Sequence, residues 1–469
     1  MLELRFHRPW RRMFMNRKVF LLTILLASAT SLTSVQTTAA NGIYLPETGA
    51  RALGRGTAFA ADPDDLSAFW FNPAGLANLD GWNAMVDLGF VVASDFTFDR
   101  ATTDDIDFAR TTAASSPYYV PALGLSYSPP SGPMKRWTVA LGVYTPSAPK
   151  IKFPEDGAQR YTVIEAELFG LWTVLGVGWN VTDSLRLGIN VGNSMGGFFK
   201  LKAAAPPPVP GSDGVNVENP ETDVISEIEV YDLANFTAGI GVSWDIVEHL
   251  TIGASLYNGF DENMKGTLTA LFPDVFAAQL GQSEATDDVT IRASLPWIVR
   301  TGISYAFTDY LEMEFNVVYS DWSAFESFDI DLETGKLLGD NPLGYFDDQA
   351  IPVNAGQAWT FGAGFEYTRA AWQLRGGFYY DESAIPDETF NPFLYDGNKT
   401  ALTLGFSRSW GGVKFDFSYA HLFYEDRIVE NGVVKKLGND FDPEVSPSVN
   451  NGKYTYAMDL MNVGFSFQW

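Results

Sequence analysis

The feature that most constrains this chain is a rhythm. From residue 81 onward, segments of roughly ten or more residues alternate apolar with polar side chains, and the connections between them are by turns short and long. Period-two alternation gives a strand one apolar and one polar face. In the last segment Val463, Phe465, Phe467 and Trp469 share a face, and Asn462, Gly464, Ser466 and Gln468 share the other. Val413, Phe415, Phe417 and Tyr419 alternate in the same way with Lys414, Asp416 and Ser418. Fourteen segments of this kind can be counted, from 81–92 to 455–469. The short connections include Val181–Asp183 and Gly411–Gly412, and the long ones all fall on one side if neighbouring strands run antiparallel. A soluble sandwich would not sort its loops this way, whereas a barrel with short inner turns and long outer loops does. The expected fold is therefore all-β: a closed transmembrane antiparallel barrel of about 14 strands, closed because lipid cannot satisfy an unpaired sheet edge.

Composition agrees with this. Apolar residues make up 46% of the chain, yet mean hydropathy is -0.03. Past the first thirty residues no apolar run reaches the length of about 20 that a membrane helix needs. A net charge of -26 excludes a nucleic-acid partner, which requires a positive footprint. The absence of cysteine excludes disulfides, thiolate metal sites and lipid attachment through a thiol. Residues 1–40 read as a signal peptide with an upstream extension. Arg17-Lys18 is followed by an apolar stretch from Val19 to Ala29 and by the small residues Thr38-Ala39-Ala40. Beyond that segment only His249 and His421 remain, and the strand map puts them near opposite ends of the barrel, so a Ser/His/Asp site is not expected. No phosphate loop, EF-hand or zinc spacing occurs, so neither cofactor nor metal is expected, and the chain is not read as an enzyme.

Residues 41–80 lack the strand pattern. They are rich in Gly and Ala, with helix-like patches at Gly49–Ala60 and Leu66–Phe71 and a turn signal at Pro73-Ala74-Gly75. Such a segment ahead of a barrel can fold inside it as a hatch, leaving 81–469 as the barrel. Several long connections carry apolar residues that water-exposed loops do not need. Examples are Phe153 and the run Leu268, Leu271, Phe272, Val275, Phe276 and Leu280, which has near-helical spacing and is a candidate capture surface for a hydrophobic ligand. Arg375 and Lys414 fall on the lumen face and are candidates for holding a ligand carboxylate, or for pairing with a wall acid.

Three separated stretches carry a family resemblance. The first is Gly49 through Ala60, with Asn72-Pro73-Ala74-Gly75-Leu76. The second is Leu295-Pro296, with Tyr319 to Phe325. The third runs from Ile351-Pro352-Val353-Asn354, through Gly364-Phe365-Glu366-Tyr367, to Tyr380-Asp381-Glu382-Ser383. Together they resemble the outer-membrane long-chain fatty acid and aromatic hydrocarbon transporters of the FadL/TodX type. The resemblance implies a fourteen-stranded barrel plugged by a hatch containing Asn72, Pro73, Ala74 and Gly75. It also implies passive uptake of a hydrophobic small molecule through loop capture and a buried pocket near Asn41, Gly42 and Ile43. Some members are proposed to release ligand sideways at a kinked strand, for which Tyr144-Thr145-Pro146 is the candidate here. The implied setting is the outer membrane of a Gram-negative bacterium. There the chain would be a monomer among membrane lipids and lipopolysaccharide, inserted by the barrel-assembly machinery through its C-terminal aromatic. The alternatives are a secretion-assembly or structural barrel of the same family, or a general porin. The Pro/Gly-rich insert Ala203–Thr222 departs from the family pattern and leaves the cargo open.

Overall fold

The computed structural model of the chain describes residues 48–102, 107–114, 117–205, 218–334, 337, 348–394, 396–436 and 447–469. The signal segment, Asn41, Gly42, Ile43 and most of the Pro/Gly-rich insert lie outside the described residues.

Fourteen strands form the wall: β1 Gly81–Arg100, β2 Tyr118–Ser128, β3 Trp137–Ser147, β4 Glu165–Asn180, β5 Leu185–Ala205, β6 Asn235–Val247, β7 Leu250–Tyr257, β8 Trp297–Ala306, β9 Leu311–Asp321, β10 Gln357–Arg369, β11 Trp372–Asp381, β12 Lys399–Trp410, β13 Val413–Tyr424 and β14 Gly452–Gln468. Each pairs antiparallel with its neighbours in sequence, and β14 returns to β1 from Asn83↔Gln468 up to Arg100↔Gly452. Closure leaves no edge strand facing lipid. At the seam Trp82 and Trp469 exchange two backbone hydrogen bonds of 3.1 Å, and their rings stack at 6.3 Å.

The alternation in the sequence is the inside and outside of this wall. On β14, Phe465 and Phe467 are exposed to the lipid side while Leu460 and Asn462 are buried. On β13, Phe417 points outward and Ser418 and Ala420 inward. The short turns at 181–184, 248–249, 370–371 and 411–412 lie at one end of the barrel, and the long connections lie at the other.

Two expectations need correction at the outer end. The sequence reads 249–260 and 291–306 as single strands. Instead Asn258-Gly259 and Pro296 break them, and a second hairpin, Phe260–Leu271 with Glu284–Leu295, stands beyond the wall pair β7/β8. Gly259 approaches Leu295 so closely that a Cβ there would lie 2.5 Å from its carbonyl oxygen. Nor does the stripe Leu268–Leu280 form one helix. Its first part is strand, Pro273 interrupts it, and a seven-residue helix α3, Asp274–Leu280, follows. Further short strands, Val224–Tyr231, Ser327–Leu332 and Gln349–Pro352, join the outer hairpin and the tall upper half of β5 in one extended sheet.

Candidate functional site

Residues 48–80 fill the lumen. The chain enters through Gly49, whose φ of 96° suits glycine, into a buried one-turn helix α1, Ala50–Gly54. A second short helix α2, Ala68–Phe71, leads into a 3-10 turn, Pro73–Asn78. Asn72 locks this corner three ways. Its Oδ1 accepts from the N–H of Ala74 at 3.1 Å, and its Nδ2 donates to the carbonyls of Ala60 at 2.8 Å and of Val242 on β6 at 3.0 Å. Pro73 occupies the first position of the turn, where its missing N–H has no partner to lose. Gly75 meets Pro63 so closely that a Cβ would stand 2.2 Å from its carbonyl oxygen. The hatch tetrad is thus a folded corner, hydrogen-bonded to the wall through Asn72.

The wall accepts the hatch by removing its own side chains. An added Cβ would lie 2.1 Å from the Pro73 carbonyl at Gly188, 1.9 Å from Asn72 Oδ1 at Gly241, and 1.9 Å from the Arg55 carbonyl at Gly364. Between these bare places, wall side chains bond the hatch backbone. Asn190 and Tyr257 both donate to the Phe69 carbonyl at 2.8 Å, Ser255 donates to Phe71 at 2.7 Å, and Asn180 to Ala77 at 2.7 Å.

Ion pairs complete the seat. Arg51 grips Glu366 on β10 through two hydrogen bonds of 2.9 Å and also pairs with Asp64. Arg55 reaches Glu312 on β9 at 2.7 Å and Glu314 at 3.6 Å. Arg375, a sequence candidate for a ligand carboxylate, is fully buried here. It pairs with Glu366 at 2.6 Å and with Asp416 at 3.3 Å, so it takes the wall-acid pairing that the sequence left open beside the ligand role. Lys414 stands 3.8 Å from the same Asp416. Both cations therefore belong to the charged girdle around α1, apart from the apolar candidates.

Above the hatch the lumen is aromatic. Trp70 on α2 meets Trp172 at 5.7 Å, Tyr144 at 5.8 Å and Tyr257 at 6.3 Å, and Arg300 lies 4.4 Å from its ring centre. Phe260, at the base of the outer hairpin, extends the group through a 5.8 Å contact with Trp172. Higher up, Phe153 packs on Phe96, Phe96 on Tyr456, and Tyr456 on Tyr424, with centroid distances of 5.6, 4.7 and 4.1 Å. Phe272 is buried in the same apolar body, Phe276 packs on it half-buried, and Leu271 is half-buried on the alternate face of its strand. The structure gathers the loop candidates Phe153, Phe272 and Phe276 into one apolar body, whose lower part the sequence reading missed. A signal existed: Trp172 is a large aromatic on an inward face otherwise thinned by Gly170, Gly176 and Gly178.

The wall is interrupted beside this group. The ladder between β2 and β3 stops at Ala122↔Tyr144, although both strands continue. Residues 118–121 pair only with β1, and the β3–β4 register slips between Tyr144 and Ser147 at Pro146, which has no N–H to give. Above the interruption, the Ala114 N–H to Lys152 carbonyl bond of 2.8 Å closes the frame. Tyr144, one of the three rings around Trp70, sits at its lower corner.

Comparison with known proteins gives a consistent picture. The family model described as outer membrane protein transport protein (OMPP1/FadL/TodX) matches residues 30–459. An outer membrane protein of Neisseria meningitidis serogroup B, NMB0088, is 22% identical, with the match covering 95% of this chain and 98% of that one. The crystal structure of a Pseudomonas aeruginosa FadL homologue superposes with a TM-score of 0.72 at 16% identity, covering 91% of this chain and 99% of the other. The toluene transporters TbuX of Ralstonia pickettii and TodX of P. putida superpose with TM-scores of 0.64 and 0.66 at 18% and 14% identity, each over 91% of this chain and 99% of theirs.

Proposed function

Because the chain belongs to the outer membrane protein transport family (OMPP1/FadL/TodX), a family of outer-membrane channels and not of enzymes, we propose that it carries long-chain fatty acids or related hydrocarbons passively across the outer membrane. The observation that carries this reading is the buried aromatic body standing between the outer loops and a hatch-filled lumen, beside an interrupted wall. An apolar solute entering from the loops exchanges water for ring and alkyl contact at each step, about 0.8 kcal/mol per buried CH₂. A small polar solute gains nothing from these walls and meets a hatch bonded to strands throughout the barrel. The bare-backbone seat at Gly188, Gly241 and Gly364 favours a hatch that stays in place, and this supports exit sideways through the β2–β3 interruption in preference to exit beneath it. Lipopolysaccharide around the outer wall, and an assembly machinery that reads the terminal Trp469, are the partners proposed with this role.

Entry of tritiated oleate and toluene into cells with and without the gene tests the proposal. Both should enter faster when the gene is present, and purified protein in liposomes should give almost no swelling with small sugars. Equal entry of every hydrophobic solute would overturn it, and loss of a secreted surface layer on deletion would favour the secretion-assembly role.

A further inference from the structure

The outer hairpin carries a buried carboxylate that the hatch does not use. Glu262 lies on the inward face of the outer hairpin, two residues beyond Phe260 and two before Met264, and opposite Ala293. Its residue exposure is 7%, and Met264 and Ala293 beside it are buried as well. Every other deeply buried acid discussed above is matched: Glu366 by Arg51 and Arg375, Glu314 by the Ala61 N–H and Arg55, and Asp416 by Arg375 and Ser407. Among the described residues nothing donates a hydrogen bond to Glu262. Its nearest electrostatic neighbour is another acid, Asp232, which is itself occupied by the Asn263 N–H at 2.9 Å.

An apolar position on this outer hairpin would bury a leucine more easily than an unmatched carboxylate. The cost is offset only when something brings a donor. Phe260, on the same face and one residue pair lower, is in contact with Trp172 and so with the aromatic group around Trp70. A flat ring lodged against Phe260 and Trp172 would make the edge and offset contacts that aromatic pairs favour at 4.5–7 Å. It would then hold a substituent next to the Glu262 carboxylate.

Taking the transport reading as its basis, we propose that Glu262 is a ligand-binding residue, selecting small aromatic molecules that carry one hydroxyl or amino donor over the bare hydrocarbon ring. The ring rests on Phe260 and Trp172, and the donor bonds to the Glu262 carboxylate. Burial, with the Asp232 carboxylate adding to it, pushes the Glu262 pKa up to about 7, consistent with a group that lacks any donor until a ligand supplies one.

Equilibrium dialysis of the purified full-length protein in detergent, with labelled p-cresol, p-toluidine and toluene, tests this. Wild type should bind p-cresol and p-toluidine more tightly than toluene. Glu262→Leu should weaken both donors about tenfold, leave toluene within about twofold, and retain the heat-modifiable gel shift of a folded barrel. Glu262→Gln keeps one acceptor oxygen and should fall between the two. If toluene binds but the donors gain nothing over it, or if neither variant alters the ratio, the Glu262 assignment is overturned while transport stands. Failure of all three rings to bind would overturn the Glu262 assignment, while the transport reading stands or falls separately on the entry of oleate into cells.

Discussion

At the residue scale, the most consequential side chains anchor something rather than react with it. Asn72 makes three bonds that fix the hatch corner, and Asn72→Ala would remove all three, to the carbonyls of Ala60 and Val242 and to the N–H of Ala74. The expected loss is roughly 2–4 kcal/mol, concentrated in the hatch. Planar-bilayer conductance should reveal it as small-ion leakage absent from wild type. Asp287 plays a comparable part in the outer loops, accepting from Thr334 through both its N–H and its hydroxyl, and from the Leu337 N–H at 3.1 Å. Burial alone would raise its pKa, but these bonds outweigh burial and hold the carboxyl below the usual carboxylate range. Its contribution is therefore complete above the unfolded value of about 3.9 and is lost as pH falls from there through the lower folded value. Protection of the Thr334 and Leu337 amides, taken relative to their intrinsic exchange rates, should be high at pH 6 and fall as the pH drops below about 3.9, and in Asp287→Asn it should be low throughout. Arg375 shows why charge roles were the least readable part of the sequence. Its lumen position follows from alternation and its place opposite Glu366 from the hairpin register, but its reach past β12 to Asp416 follows only from the assembled wall.

At the scale of elements, the wall was legible and its outer extensions were not. Alternation and turn chemistry are local signals, so each wall strand announces itself and the short inner turns fix its partner. The run from Leu268 to Phe276 misleads because apolar residues at 268, 271, 272, 275 and 276 imitate a helix face. In fact the first two belong to a strand and the last two to α3. Pro273, with ψ of 154° at the start of α3, was the local sign of the break. The β2–β3 interruption follows the same logic, since Pro146 marks it in the sequence while the frame around it needs four elements. Replacing Pro146 by Val restores a backbone donor and should let the β2–β3 ladder extend past Tyr144. If ligand leaves there, oleate uptake should fall several-fold with the barrel still folded and sugar exclusion unchanged. Unaltered uptake would direct the exit beneath the hatch instead.

At the scale of the whole molecule, the terminal aromatic closes the cylinder. Trp469 is bonded to Trp82 through both backbone groups, joining the end of the last strand to the start of the first. Trp469→Ala removes the ring contact and the terminal aromatic together, so the folded fraction in unheated gels should drop, more in cells than in refolding from urea if assembly machinery reads the residue. The hatch seat has a consequence in time as well as in space. The hatch is synthesised first and lies immediately ahead of β1, while the seam waits for the seventeen residues of β14. At Gly188 and Gly364 the wall meets the hatch backbone, and at Gly241 the Asn72 side chain, too closely for a Cβ to stand between them. A cylinder already closed offers the plug little clearance at these points. The order of maturation expected from this geometry is that the N-terminal segment is seated while the sheet is still an open curl, and the seam is zipped around it last.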